Sequence, residues 1–295
     1  MSLPALDLAG ESEDVTVPWA TRPSLQDAVD DDQGDDDDQV IPELLPSALE
    51  HLADTPFDLL DEDELQRISE DLECGSHQWP TRRSRRTRQA KQGRPDLRQT
   101  LRASLRSGGE PLVLHSHRPR RRPRPVLLMV DVSGSMERHV RPYLHITRAL
   151  AMSGRAEVFA FATELTRLTP ALRSRSAVDA MQRATEQVGD RFGGTKLATN
   201  LGVLIGHRVW SSMVRGAVVV IISDGWDTED PAELEVRMRR LGRLAHRIVW
   251  VNPRVAAPGF EPLVGSMAAA LPHCDHFLPG HSVRAMADVL DAVSS

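Results

Sequence analysis

The sequence predicts an α/β fold, a doubly wound and mainly parallel sheet with helices on both faces. Three observations carry the prediction. Apolar runs unbroken by charge occupy residues 126–130, 217–222 and 248–251, and such runs read as strands buried on both sides. Stretches with apolar residues at helical spacing, such as Glu137–Ser153 and Pro231–Leu244, lie between them. Strand and helix then alternate to the end of the chain, the pattern of a parallel sheet covered on both faces.

The region ahead of that alternation is polar and is expected to be partly disordered and partly helical. The formal net charge of −6 hides a division of the 295 residues into three. Residues 1–80 carry 23 acidic and 2 basic side chains, residues 81–125 carry 15 basic and 2 acidic, and the rest is nearly neutral. Four segments follow: a disordered acidic tail over 1–40, short acidic amphipathic helices over 41–75, an arginine-rich linker with one amphipathic helix over 76–125, and the α/β domain over 126–295. The run Asp30–Asp38 repels itself and has no apolar surface to bury. In the second segment, Leu52, Leu59, Leu65, Ile68 and Leu72 recur at helical spacing, and Asp61 with Glu64 has the form of a capping box. Too few apolar residues are present for a separate core, so these helices are expected to pack on the main domain or on a partner.

In the basic segment Arg82, Arg83, Arg85, Arg86 and Arg88 are expected in a linker. A helix starts at Pro95-Asp96, with Leu97, Leu101 and Leu105 on one stripe and Arg98, Arg102 and Arg106 beside it. Residues 111–115 read as a short strand. Residues 118–125 hold too many prolines for a helix or a central strand.

From residue 126 the order is a buried strand, the helix Glu137–Ser153, a strand at 157–162 and an edge strand over 165–172. Helices follow at 177–188 and 197–210. A strand at 217–223 precedes the helix Pro231–Leu244, which has Asp230 as its cap and Pro at its first position. A strand at 247–251, a short helix at 263–271, a strand at 276–278 and a helix at 283–293 complete the pattern.

Open α/β sheets place their ligands beyond the carboxyl ends of the strands. Asp131, Ser133 and Ser135 follow the first buried strand, at i, i+2 and i+4. One carboxylate and two hydroxyls are hard oxygen donors, suited to Mg²⁺ or Mn²⁺ and poor for a soft metal. Taken alone, Asp-x-Ser-x-Ser also describes an ordinary polar turn. Two further pieces come in the right order, Gly193-Gly194-Thr195 after a polar loop and Asp224 at the end of the run 217–223. Gly134, Gly194, Trp226 and Asp227 are candidates for the rim or the surroundings of the site.

Asp131-x-Ser133-x-Ser135, Thr195 and Asp224 together resemble the metal-ion-dependent adhesion site of von Willebrand factor A domains, which have a Rossmann-like fold. With LRASLRSGGEPL (101–112), SDGWDTEDPAEL (223–234), RIVWVNP (247–253) and MAAALPHCDHFLPGH (267–281), the resemblance narrows to the CoxE-like subgroup. It implies that Ser133, Ser135 and Thr195 reach the ion, with Asp131 and Asp224 acting largely through water. It implies no catalytic residue, a cytoplasmic location, and a partner protein that supplies an Asp or Glu to the metal. It further implies work beside a MoxR-type AAA+ ATPase in the maturation of a metalloenzyme such as carbon monoxide dehydrogenase. The chain has no GxxxxGK[ST] loop of its own, which fits an adaptor for a separate ATPase.

The arginines of 76–125 suit nucleic-acid phosphates, and this is the alternative reading. Set against it, the segment 81–125 has no aromatic side chain for base stacking and the chain as a whole is acidic. GxSxG is absent, so Ser133 and Ser135 are not a hydrolase elbow. No apolar run is long enough for a membrane span, and the first residues lack the pattern of a secretory leader. Cys74 and Cys274 are far apart, without zinc spacing, and read as two reduced thiols.

Overall fold

Consecutive residues of a strand face opposite ways, and in Val126–Asp131 both ways are apolar until the last residue. The computed structural model describes residues 52–74, 79–108, 113–154, 156–188, 194–255 and 265–294. The expectations for the acidic tail, Gly193 and residues 109–112 and 256–264 therefore lie outside the described residues.

The elements ahead of residue 126 are α1 (Glu62–Cys74), β1 (Thr81–Ala90), β2 (Arg94–Pro95), α2 (Leu97–Ser104) and β3 (Ser116–Pro123). Next come β4 (Val126–Asp131), α3 (Glu137–Met152), β5 (Ala156–Phe161), β6 (Leu165–Arg167), α4 (Thr169–Leu172) and α5 (Ala177–Gln187). The chain continues through α6 (Leu197–Gly206), α7 (Trp210–Val214), β7 (Val218–Ile222), α8 (Pro231–Leu244) and β8 (Arg247–Asn252). It closes with α9 (Ser266–Ala270), β9 (His276–Pro279) and α10 (Val283–Ser294). The main sheet has six strands in the order β6-β5-β4-β7-β8-β9. All neighbours run parallel except β6, which turns back antiparallel on β5.

The two faces of the sheet build two cores. Leu128 and Val130, with Val220, Ile222, Val249 and Val251, pack under α1, α3 and α10. Leu127 and Met129, with Val219, Ile221, Ile248 and Trp250, pack under α6, α8 and α9. This is the doubly wound arrangement, with helices on both sides of one sheet.

Helix α1 lies on the first face. Leu65 and Ile68 are buried there, and the Asp61–Glu64 box forms with both backbone-to-carboxylate bonds at 2.9 Å. Polar contacts fix the helix on α3. Glu62 meets Arg141 and His145, Glu73 meets the buried Arg148, and the Ser69 hydroxyl donates to the His145 carbonyl at 3.1 Å. Burial, then the charges of Arg141 and Arg148, push the His145 ring down to about 4 from 6.5. Its 3.1 Å contact with Glu62 is therefore a hydrogen bond from a neutral imidazole at neutral pH.

Since the folded ring holds its proton less tightly than the unfolded one, acid favours unfolding between those two values. The contribution of this ring to stability is expected to fall as pH drops from 7 to 5, so the wild type should lose more stability over that interval than His145→Gln. Urea midpoints of both proteins at the two pH values check this, and equal slopes would refute it.

The arginine-rich segment departs from expectation. Residues 81–90 and 116–123 are not linkers but paired antiparallel strands, and β2 adds at His117 and Ser116 to give the order β1-β3-β2. Because β2 stops there, Pro119 and Pro123 lie on a stretch of β3 with one open edge, where a sheet tolerates proline. Residues 165–172 also divide, since only 165–167 pair and Thr169–Leu172 turns helical. The segment 197–210 ends its helix at Gly206, and a short second helix follows. The stripe of Leu97, Leu101 and Leu105 is left 67, 64 and 80% exposed.

Candidate functional site

From β4 the chain moves outward to β5 and β6, then returns to β7 on the other side of β4 and moves outward again. The carboxyl ends of β4 and β7 therefore flank the point where the winding reverses, which is where such sheets open a crevice. The register pairing Val130 with Ile222 sets Asp131 beside Ser223.

Asp131 is fully buried. One carboxylate oxygen accepts the Ser133 amide at 3.0 Å and the other accepts the Ser223 hydroxyl at 2.6 Å. Burial pushes this carboxyl up to about 6, against the pull of the Ser133 and Ser223 hydrogen bonds and with added repulsion from Asp224. The Ser133 and Ser135 hydroxyls lie 3.2 Å apart after a turn that leaves Gly134 exposed.

Asp224 is also buried. Its carboxylate accepts the Trp226 amide at 3.1 Å and Arg254 Nη1 at 3.2 Å, and its carbonyl accepts Asn252 Nδ2 at 3.1 Å. Below it, the Ser223 carbonyl accepts the indole N–H of Trp250 at 3.0 Å.

Thr195 is buried in a third loop of the same edge. The next amide, Lys196, donates to Ala162 just past β5 at 2.9 Å, and Thr228 donates to the Thr195 carbonyl from both its amide and its hydroxyl. Asp227 caps the start of α6 by accepting the Leu197 amide at 3.3 Å, so it joins the second and third loops. Two glycines are required by close approach. A Cβ on Gly194 would stand 2.8 Å from Thr228 Cγ2. Gly225 has φ +80° and a Cβ there would meet Met267 at 2.2 Å. Trp226 is 69% exposed at the rim.

The structure thus brings Asp131, Ser133, Ser135 and Asp224 to one crevice and stitches the Thr195 loop to its edge. Among the described residues no three His, Cys, Asp or Glu side chains gather to hold a metal. Hydroxyls, backbone carbonyls and water would supply the rest of any ligand set. Two buried, mutually repelling carboxylates beside such hydroxyls suit a hard divalent cation, as the donor chemistry requires.

Sequence reasoning missed Ser223 and Arg254. Ser223 directly precedes Asp224 but reads as the last residue of a strand. Arg254 carries no local signal, because its pairing with Asp224 spans 30 residues.

An open sheet wound in this order, with its loops gathered at the carboxyl edge, is a doubly wound α/β domain of the Rossmann-like kind. The family model for VWA domain containing CoxE-like protein matches residues 68–286, and the chain belongs to that family. Some solved structures resemble the chain at low identity. A von Willebrand factor type A protein from Catenulispora acidiphila matches at 13% identity and TM-score 0.41, covering 61% of this chain and 44% of that one. The proximal thread matrix protein 1 of the mussel byssus, in a structure described as having a zinc-occupied MIDAS motif, matches at 12% and 0.39, covering 58% and 46%. The SpRpn10 VWA domain matches at 12% and 0.38, covering 58% and 96%. The chain thus spans less than half of the mussel and Catenulispora proteins. No curated protein is significantly similar to the chain.

Proposed function

We propose that the chain is a non-catalytic adaptor that captures a partner protein through a divalent cation, Mg²⁺ or Mn²⁺, held by Asp131, Ser133, Ser135, Thr195 and Asp224. The meeting of two buried carboxylates and a serine pair at the reversal point of the sheet supports this reading most directly. Bound there, the cation would supply a positive centre incompletely neutralised by its hydroxyl ligands, to which an external Asp or Glu adds favourably.

The protein's own groups do the rest. Ser223 and the Ser133 amide orient Asp131, Arg254 and Asn252 hold the Asp224 loop, and Asp227 fixes the Thr195 loop. A cavity of about 350 Å³ opens between Val132, α3 and α5, lined by Val140, Leu144 and Met181 with Glu62, Glu137 and Arg141. Family membership supports the finer reading, a partner of MoxR-type AAA+ ATPases in metalloenzyme maturation within the cytoplasm. None of the described helices is long and apolar enough to cross a membrane.

The full-length chain is expected to retain an AAA+ ATPase from its source lysate in Mg²⁺ and to release it in EDTA, with mass spectrometry identifying what is held. Retention unaffected by EDTA would overturn the metal-dependent reading.

A further inference from the structure

The arginine sheet lies at the other end of the molecule from the crevice. Its base is tied to the amino edge of the main sheet. The Trp79 indole donates to the Arg124 carbonyl at 2.9 Å, and Arg124 Nη1 donates to the Gly216 carbonyl at 3.1 Å, just before β7. Strand β4 then runs from this edge to Asp131 at the opposite one. A ligand here is spatially independent of the cation crevice.

The register of β1 on β3 places Arg82 opposite Arg122, Arg83 opposite Arg121 and Arg88 opposite Arg118. Paired residues of antiparallel strands project from the same face and consecutive pairs from opposite faces, so both faces carry paired guanidinium groups. Like charges set directly opposite destabilise a sheet. Within the described residues no ion pair offsets Arg82, Arg83, Arg85, Arg86, Arg88, Arg120, Arg121 or Arg122. All eight are exposed. Folding alone does not favour this ladder, whereas a polyanion lying along it would turn its repulsion into attraction.

The chemistry of the ribbon narrows the polyanion. A protein partner binds stably through a buried apolar centre, and in β1 and β3 the only apolar side chains besides proline belong to Ala90. The charges are guanidinium groups, whose fork matches phosphate oxygens in pairs, and Thr81, Ser84 and Thr87 add hydroxyl donors between them. The lack of aromatic residues argues against a single strand, which is held by stacking, but not against a duplex held by its backbone. The ten residues of β1, at about 3.3 Å each, span roughly the 34 Å of one duplex turn.

We propose that the β1–β3 ribbon grips the phosphate backbone of double-stranded nucleic acid without reading its sequence.

The test is fluorescence anisotropy with the full-length chain and labelled duplexes of DNA and of RNA, across a salt series. Binding is expected for several unrelated sequences, with log K falling linearly in log salt at a slope near −5 for about six phosphates. Arg82→Gln, Arg83→Gln, Arg121→Gln and Arg122→Gln combined are expected to weaken binding by at least about tenfold and to reduce the slope by roughly 3 to 4. The DNA and RNA arms tell which duplex is the better ligand. Four outcomes would each overturn the proposal: no binding at low salt, an unchanged slope in the variant, tighter binding of a single strand, or displacement of the duplex by poly-glutamate as readily as by unlabelled duplex. The last would assign the ribbon to an acidic protein. Circular dichroism monitors the variant's fold. Should it fail to fold, the wild-type slope and the poly-glutamate competition decide the matter alone.

Discussion

Replacing Asp131 with asparagine is expected to abolish divalent cation binding while leaving the protein folded. The substitution keeps the size of the side chain and the acceptor for the Ser133 amide. It removes a negative charge from a site where burial and Asp224 already disfavour that charge. The uncomplexed variant should therefore melt at the same temperature as the wild type or higher, because a buried charge without a full partner costs stability. The cation loses one of two carboxylates, and its affinity should fall by more than about 100-fold, beyond the usual loss on removing a supporting residue. Calorimetric titration with MgCl₂ and MnCl₂ checks the first expectation and thermal melting the second. An affinity within tenfold of the wild type would remove Asp131 from the site.

Trp250→Ala is expected to have the largest effect on stability. The side chain is fully buried in the second core, and its indole N–H donates to the Ser223 carbonyl at 3.0 Å. Truncation leaves a cavity and an unsatisfied carbonyl, and comparable losses cost about 3–5 kcal/mol. Trp250→Phe keeps most of the packing and loses the hydrogen bond, for about 1–2 kcal/mol. Because Ser223 also orients Asp131, the Phe variant should bind the cation more weakly even though it folds. Urea denaturation gives both energies. A Phe variant with wild-type cation affinity would show that the indole bond supports the core but not the crevice.

What could be read from the chain follows from where free energy is concentrated. Strands β4, β7 and β8 are legible because each is buried on both faces and so must be apolar at consecutive positions. Asp131 and Asp224 stand out because a carboxylate ending such a run has no structural reason to be there. Strands β1 and β3 are illegible for the opposite reason. Nothing in TRRSRRTRQA or SHRPRRRP alternates between apolar and polar, and their order comes from pairing with each other rather than from burial. Arg254 and Thr228 are hidden by distance, since each contributes to the crevice only after the loops have been brought together. Asp227 stands in the sequence as a rim candidate, and in the fold its carboxylate accepts the Leu197 amide and braces two loops.

Residues 52–60 form a strap whose consequences reach across the molecule. Pro56 bridges to Ser282, the Phe57 amide donates to the His281 carbonyl at 2.7 Å, and the Phe57 ring meets the edge of Tyr143. Tyr143 in turn donates to the Gly280 carbonyl at 2.7 Å. The polypeptide is therefore clasped near its two described extremities, with Arg284 gripping Asp54 to complete the buckle. Trimming the molecule to the stretch shared with its relatives, which opens at residue 68, would cut α1 in two and strip the cover from Tyr143. Such a remnant would keep every candidate cation ligand yet offer a bare apolar seam to chaperones and proteases, so the family's matched span and the smallest sturdy protein are different objects.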